Sequence, residues 1–191
     1  MDPMFWIVMG GLGLASGGLA WLGLQRVAAP PVLADADRRG FLVVAARWGL
    51  QAELVGPPAS WTLGGSCQGW PVQARVVEVE GERWTEVRVR LPGVPAGLRV
   101  ASRADEARGA VATGFPDADA VLAARGEVGA LAALWADPTR RAAWIEVLQP
   151  AFGPAVDGGW LVHADLGAQG ERLDALLDRL LAAAARMVGP G

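Results

Sequence analysis

Residues Val72–Leu91 read VQARVVEVEGERWTEVRVRL, and this stretch decides the fold class. Thr85, Val87, Val89 and Leu91 alternate with Glu86, Arg88 and Arg90. Successive side chains of a β-strand point to opposite faces, so the pattern describes a strand with one dry face and one wet face. Upstream, Val77 and Val79 alternate with Glu78 and Glu80, and Gly81 supplies a turn. Both apolar sets stand at odd positions, so burying them together predicts a loop of odd length, a three-residue turn. Val72, Ala74 and Val76 stand at even positions, and the shift at Val76-Val77 predicts a β-bulge. Arg88 and Arg90 would then pair across strands with Glu78, Glu80 and Glu86 on the wet face.

Strands are also predicted over 61–68 and 97–102. Before them, Asp37 is a good N-cap for a helix with Phe41, Val44, Ala45 and Trp48 on one face, ended by Gly56-Pro57-Pro58. Beyond residue 120, VLAAR leads as a strand to Gly126, and 127–135 forms a short helix with Val128, Leu131, Leu134 and Trp135 inward. Asp137-Pro138 is an N-cap followed by proline at the first helical position, and that helix runs past Trp144, Val147 and Leu148 to Pro150. Asp157-Gly158-Gly159 turns into the strand WLVHADL. The last helix carries Leu173, Leu176, Leu177, Leu180, Leu181 and Ala184 as one stripe. Strands grouped between helices, without a repeating βαβ unit, make an α+β fold: an antiparallel sheet packed with helices.

Phe5–Leu24 is a run of 20 residues without a charge. As a helix it would cover roughly 30 Å, the thickness of a bilayer's hydrocarbon core. Trp6 and Trp21 stand near its ends, where indoles prefer the headgroup zone. The organisation expected is therefore a single transmembrane anchor over 1–26, a linker over 27–34 containing Pro30-Pro31, and a soluble domain over 35–188. A cleaved signal peptide, with Ala34-Asp35-Ala36 as its cleavage site, is the rival, but Met1-Asp2-Pro3 lacks the basic start that a signal needs. Arg26, Arg38 and Arg39 follow the span and no Arg precedes it. The positive-inside rule then puts the domain in the cytoplasm, on the inner membrane of a bacterial cell. Gly13 and Gly17 stand four apart, with Gly10 and Ala20 on much the same face. Such small-residue spacing offers a homodimer seam.

Composition narrows the function. All 17 basic residues are Arg, against 20 acids, for a net charge of −3, and no basic run exists. Binding to nucleic acid through phosphate neutralisation is not expected. One Cys forbids an internal disulfide, and a single His with it forbids the usual zinc sites. Lys, Asn and Tyr are absent, which points to a GC-rich bacterial gene and makes Ala, Gly and Arg poor functional clues.

From Ala112 onward, Thr113-Gly114, Pro116, Asp117 or Asp119, Gly126, Leu131, Leu134, Arg140 or Arg141, Asp157-Gly158 and Leu173 follow one another in a recognisable order. The passage resembles uncharacterised membrane-anchored bacterial α+β domains, whose signature is similar to T-G-D-x-x-F-D. Phe115 replaces the first Asp, and Ala118 or Ala120 replaces the aromatic. The resemblance covers about 80 residues, implies the architecture, and carries no catalytic residue.

The chain is poor in chemistry. His163 shares a strand face with Asp165, and a hydrolase would need it beside Ser66, Cys67 or Ser102. A strand histidine is far more often half-buried structure. Cys67 sits in Gly64-Gly65-Ser66-Cys67-Gln68-Gly69, without a local base or cation to activate it. That run also misses the nucleophile elbow, because Gln68 stands at the last Gly position. Asp117 and Asp119 fall short of a divalent-ion loop and suit capping or solvation better. Trp70 and Trp160 adjoin Gly or Pro, Trp61 follows Pro57-Pro58 closely, and all three are candidates for an interaction surface.

Two readings follow. The first is a membrane-anchored, non-enzymatic binding or scaffolding domain with no cofactor, no metal and a protein partner. The alternative is a membrane-tethered hydrolase using His163 with Ser66, Cys67 or Ser102. For the topology, a membrane-impermeant thiol reagent should miss Cys67 in intact cells and label it after permeabilisation and unfolding. Digestion of the domain by protease added to spheroplasts would reverse the cytoplasmic assignment.

Overall fold

The computed structural model describes residues 35–55, 60–79, 81–106, 108–167 and 170–189; the predicted anchor Phe5–Leu24, its Gly13/Gly17 seam and the 27–34 linker lie outside them. The first half comprises α1 (Asp35–Trp48), β1 (Gln51–Val55), β2 (Ser60–Cys67), β3 (Trp70–Val79), β4 (Glu82–Arg90) and β5 (Leu98–Ser102). The second comprises α2 (Arg103–Glu106), α3 (Pro116–Asp119), β6 (Leu122–Gly126), α4 (Gly129–Leu134), α5 (Pro138–Leu148), β7 (Ala155–Asp157), β8 (Trp160–Leu166) and α6 (Glu171–Val188). The fold is α+β. Its strands form one antiparallel sheet in the order β1-β2-β3-β4-β8-β7-β5-β6. No described helix is long and apolar enough to cross a membrane.

The central hairpin corrects the register expected from the alternation. Val79 pairs with Glu82, so only two residues separate β3 from β4. A two-residue connection matches even positions with odd ones: Val72 faces Val89, Ala74 faces Val87 and Val76 faces Thr85. The even set is therefore the inward one, and the pairing runs one to one without the predicted bulge. Val77 pairs with Trp84 instead, and Trp84 with Leu166, so the three belong to the other face. Leu166 there is 45% exposed.

Helices cover the inward face. Leu173, Leu176, Leu177, Leu180, Leu181, Ala184 and Met187 of α6 are all buried, and α6 contacts β4, β8, α1 and α5. Phe41, Val44 and Ala45 of α1 are buried as their spacing predicted. The helix, however, stops at Trp48 and not at Gly56-Pro57-Pro58. Gly49 takes φ +66°, and the Leu50 amide turns back to the Ala45 carbonyl at 2.9 Å. This glycine-dependent cap releases Gln51–Val55 to form the edge strand β1. At α5 the predicted cap holds: the Asp137 carboxylate accepts from the Thr139 amide at 2.8 Å.

Among the described residues, no helix covers the opposite face over β1–β4. At its far end the segment after β5 lies over the sheet, where Glu106 pairs with Arg99 and Arg125. The unequal faces predict unequal mutational costs in urea unfolding of the full chain. Val87 is 0% exposed, so Val87→Asp should cost several kcal/mol by placing an unpaired carboxylate among apolar groups. Leu177→Ala should cost about 2–5 kcal/mol, whereas Arg88→Ala should stay within about 1 kcal/mol.

Candidate functional site

Two cross-strand rows build the main concavity, on the bare face. Register aligns Gln51, Gly64, Gln73 and Arg88 across β1 to β4, and Glu53, Thr62, Arg75 and Glu86 beside them. Gly64 contributes no side chain to the middle of the first row. Gly65 has φ +148°, and a Cβ there would come within 3.2 Å of Leu50 Cδ2. The missing side chain at Gly64 leaves room for a trough of about 680 Å³, lined by both rows and Ser66.

The charge in the trough is organised around one carboxylate. Glu86 Oε1 accepts from Arg75 Nε at 2.7 Å and from Arg88 Nε at 2.8 Å. Desolvation alone would push the Glu86 carboxyl upward, but the hydrogen bonds and charges of Arg88 and Arg75 hold it below its ordinary value. Two guanidiniums against one carboxylate leave this cluster with one net positive charge. Arg90, next along the same face, is occupied: it donates to the Gly158 carbonyl at 2.8 Å and lies 5.5 Å from the Trp160 ring centre. At the far end, the hydrogen bonds from Arg99 hold the Glu106 carboxyl below its ordinary value against desolvation, and Asp157 adds a second contact to Arg99 at 2.9 Å.

His163 lies on the covered face, opposite Val87. It borders a cleft of about 420 Å³ between α5 and α6, with Val147, Pro154 and Leu180. None of its expected nucleophile partners joins it. Ser66 lines the trough on the other side of the sheet. Cys67 sits three strand spacings away, about 14 Å across the sheet before any offset along it. Burial, with the Asp178 charge, pushes the Cys67 thiol up, which is the wrong direction for a nucleophile. Ser102 is 2% exposed and donates to the Gln149 carbonyl at 2.8 Å. Extending the strand register puts it two strands from His163, about 10 Å, with Pro154 between. Among the described residues no three His, Cys, Asp or Glu side chains group to hold a metal ion.

The residues that carried the resemblance do structural work. Asp119 accepts from the Thr113 amide at 3.0 Å and its hydroxyl at 2.8 Å. Asp117 pairs with Arg141 at 2.8 Å. Arg141 also donates to the Trp135 carbonyl at 2.7 Å and lies 4.8 Å from the Phe115 ring centre. Phe115, Trp135 and Trp144 then stack edge to face, and the Trp144 N–H donates to the Met187 carbonyl at 3.0 Å. The loop before β6 is thereby tied to α5 and α6. Trp61, Trp70 and Trp160 are half-buried.

The trough escaped sequence reasoning because its rows depend on β1, which the early end of α1 creates. Its only local signal was Gly64-Gly65 within a strand, a mark of close approach or missing bulk. No known protein family matches the sequence, and no curated protein or solved structure matches it.

The lowered carboxyls of Glu86 and Glu106 give a signed pH dependence. Their contribution is complete above the ordinary glutamate value of 4.5 and is lost as pH falls through the lower folded values. Urea midpoints should therefore drop on acidification below about 4.5, and a Glu86→Gln, Glu106→Gln double variant should show a shallower drop.

Proposed function

We propose that this chain is a non-enzymatic binding domain, tethered to the bacterial inner membrane by Phe5–Leu24, that receives a protein partner on its open sheet face. Residues 35–188 then lie on the cytoplasmic side, and close approach at Gly13 and Gly17 can set two such domains side by side. One observation carries the reading: among the described residues, half of an eight-stranded sheet keeps a face uncovered, and that face is concave, polar and lined by groups from four strands. Concave sites with a few convergent polar groups are where ligands bind. The uncharged run Phe5–Leu24, long enough as a helix to span a bilayer, supports the tether. The hydrolase reading gains nothing from the geometry, since His163 opens onto a cleft that holds no serine or cysteine.

Photo-crosslinking in cells tests the proposal. A photoreactive residue replacing Ser66 in the trough should yield a discrete protein adduct at the membrane, and one replacing exposed Ala142 on α5 should not. Equal adducts from the two positions, or none from Ser66, would defeat it.

A further inference from the structure

Resting on that reading, the chemistry of the trough specifies what its occupant must carry. Arg75 and Arg88 each commit Nε to the same oxygen of Glu86. The four terminal amino groups of the two guanidiniums have no partner among the described residues. Glu86 is only 17% exposed, so it is a fixed post that holds both forks in orientation while leaving their outer edges available. Guanidinium forks held in place lose little freedom on binding, and their planar donor pairs match carboxylate geometry. Toward the sheet edge, Gln51 and Gln73 offer amides suited to a peptide backbone. Glu53 stands two strands from Arg75, about 10 Å away, and repels an anion from that end.

We infer that the trough binds an extended peptide segment bearing acidic side chains, with the Arg75 and Arg88 forks as its carboxylate receptors. The segment's carboxylate is held on the β3–β4 side, and neutral or basic groups lie toward Glu53. Neither a neutral peptide nor a purely anionic one meets both ends of the site.

The test uses the full chain in non-ionic detergent and three end-blocked, dye-labelled hexapeptides read by fluorescence anisotropy. One alternates Glu and Gly, the second alternates Gln and Gly, and the third is all Glu. The Glu-Gly peptide should bind about tenfold more tightly than the Gln-Gly peptide, the scale of one charge-assisted hydrogen bond. It should also bind more tightly than the all-Glu peptide, despite the latter's greater charge. Arg75→Gln and Arg88→Gln should each weaken the Glu-Gly peptide about five- to tenfold, with Arg88→Lys recovering only part because a point charge lacks the fork. The Arg75→Gln and Arg88→Gln variants should still unfold cooperatively, with urea midpoints only slightly below that of the unaltered chain, which separates lost binding from lost folding. Equal affinity for the Glu-Gly and Gln-Gly peptides, or no effect of the Arg variants, overturns the inference. So does tightest binding by the all-Glu peptide, which would reveal plain charge attraction. If Ser66 crosslinks to a partner while no peptide preference appears, the inference fails and the binding reading stands. Selective peptide binding without any Ser66 adduct supports the inference and removes the proposed cellular partner.

Discussion

The leucine stripe of α6 against β4 and β8 makes the two faces of the sheet unequal. With Leu173, Leu176, Leu177, Leu180 and Leu181 in place, Val87, Val89 and Leu161 are withdrawn completely from water. Each buried Leu is worth roughly 1.5–3 kcal/mol, so this contact commits one set of alternating residues to the interior. The other set is then free of packing demands. That freedom permits Glu and Arg in neighbouring rows, and it permits Gly64 to leave a hollow that a covered face would have to fill.

The same bare face carries two carboxylates, each flanked by two guanidiniums, and they differ in how the forks are used. Glu106 lies under its own chain, and Arg125 there also donates to the Glu106 carbonyl at 3.2 Å and to the Arg108 carbonyl. Arg125 Nη2 is thus spent on backbone, and Arg99 is shared between the carboxylates of Glu106 and Asp157. Glu86 engages the Nε groups of Arg75 and Arg88, and no described helix lies across them. Identical side-chain chemistry thus serves closure at one end of the sheet and presentation at the other.

Sequence reading succeeded where information is local. A period of two marked β4 and β8, the leucine repeat marked α6, and Asp137-Pro138 marked the start of α5. It failed where the outcome hangs on one backbone choice. The parity of the β3–β4 pairing follows from a two-residue turn, and a one-residue change in loop length exchanges the roles of Val76 and Val77. β1 and β7 span only five and three residues, too few for alternation to register. The trough is less legible still, since its rows take one residue from each of four strands. His163 and Asp165 do share a face, as their spacing predicts, but nothing in their neighbourhood says that α5 and α6 cover that face.

The position of α6 in the chain also orders biosynthesis. Every strand it covers leaves the ribosome before it does, as do α1 and α5, which it contacts. Until α6 emerges, Val87, Val89 and Leu161 lack the stripe that dries them, and the nascent sheet presents apolar surface. Stable closure of the core must therefore wait for residues 171–188. If Phe5–Leu24 is the anchor proposed above, a nascent chain spends that interval held at the bilayer, in two dimensions, among other half-made copies. Its risk of aggregation is then set by the lateral density of ribosomes on the membrane more than by its concentration in the cell.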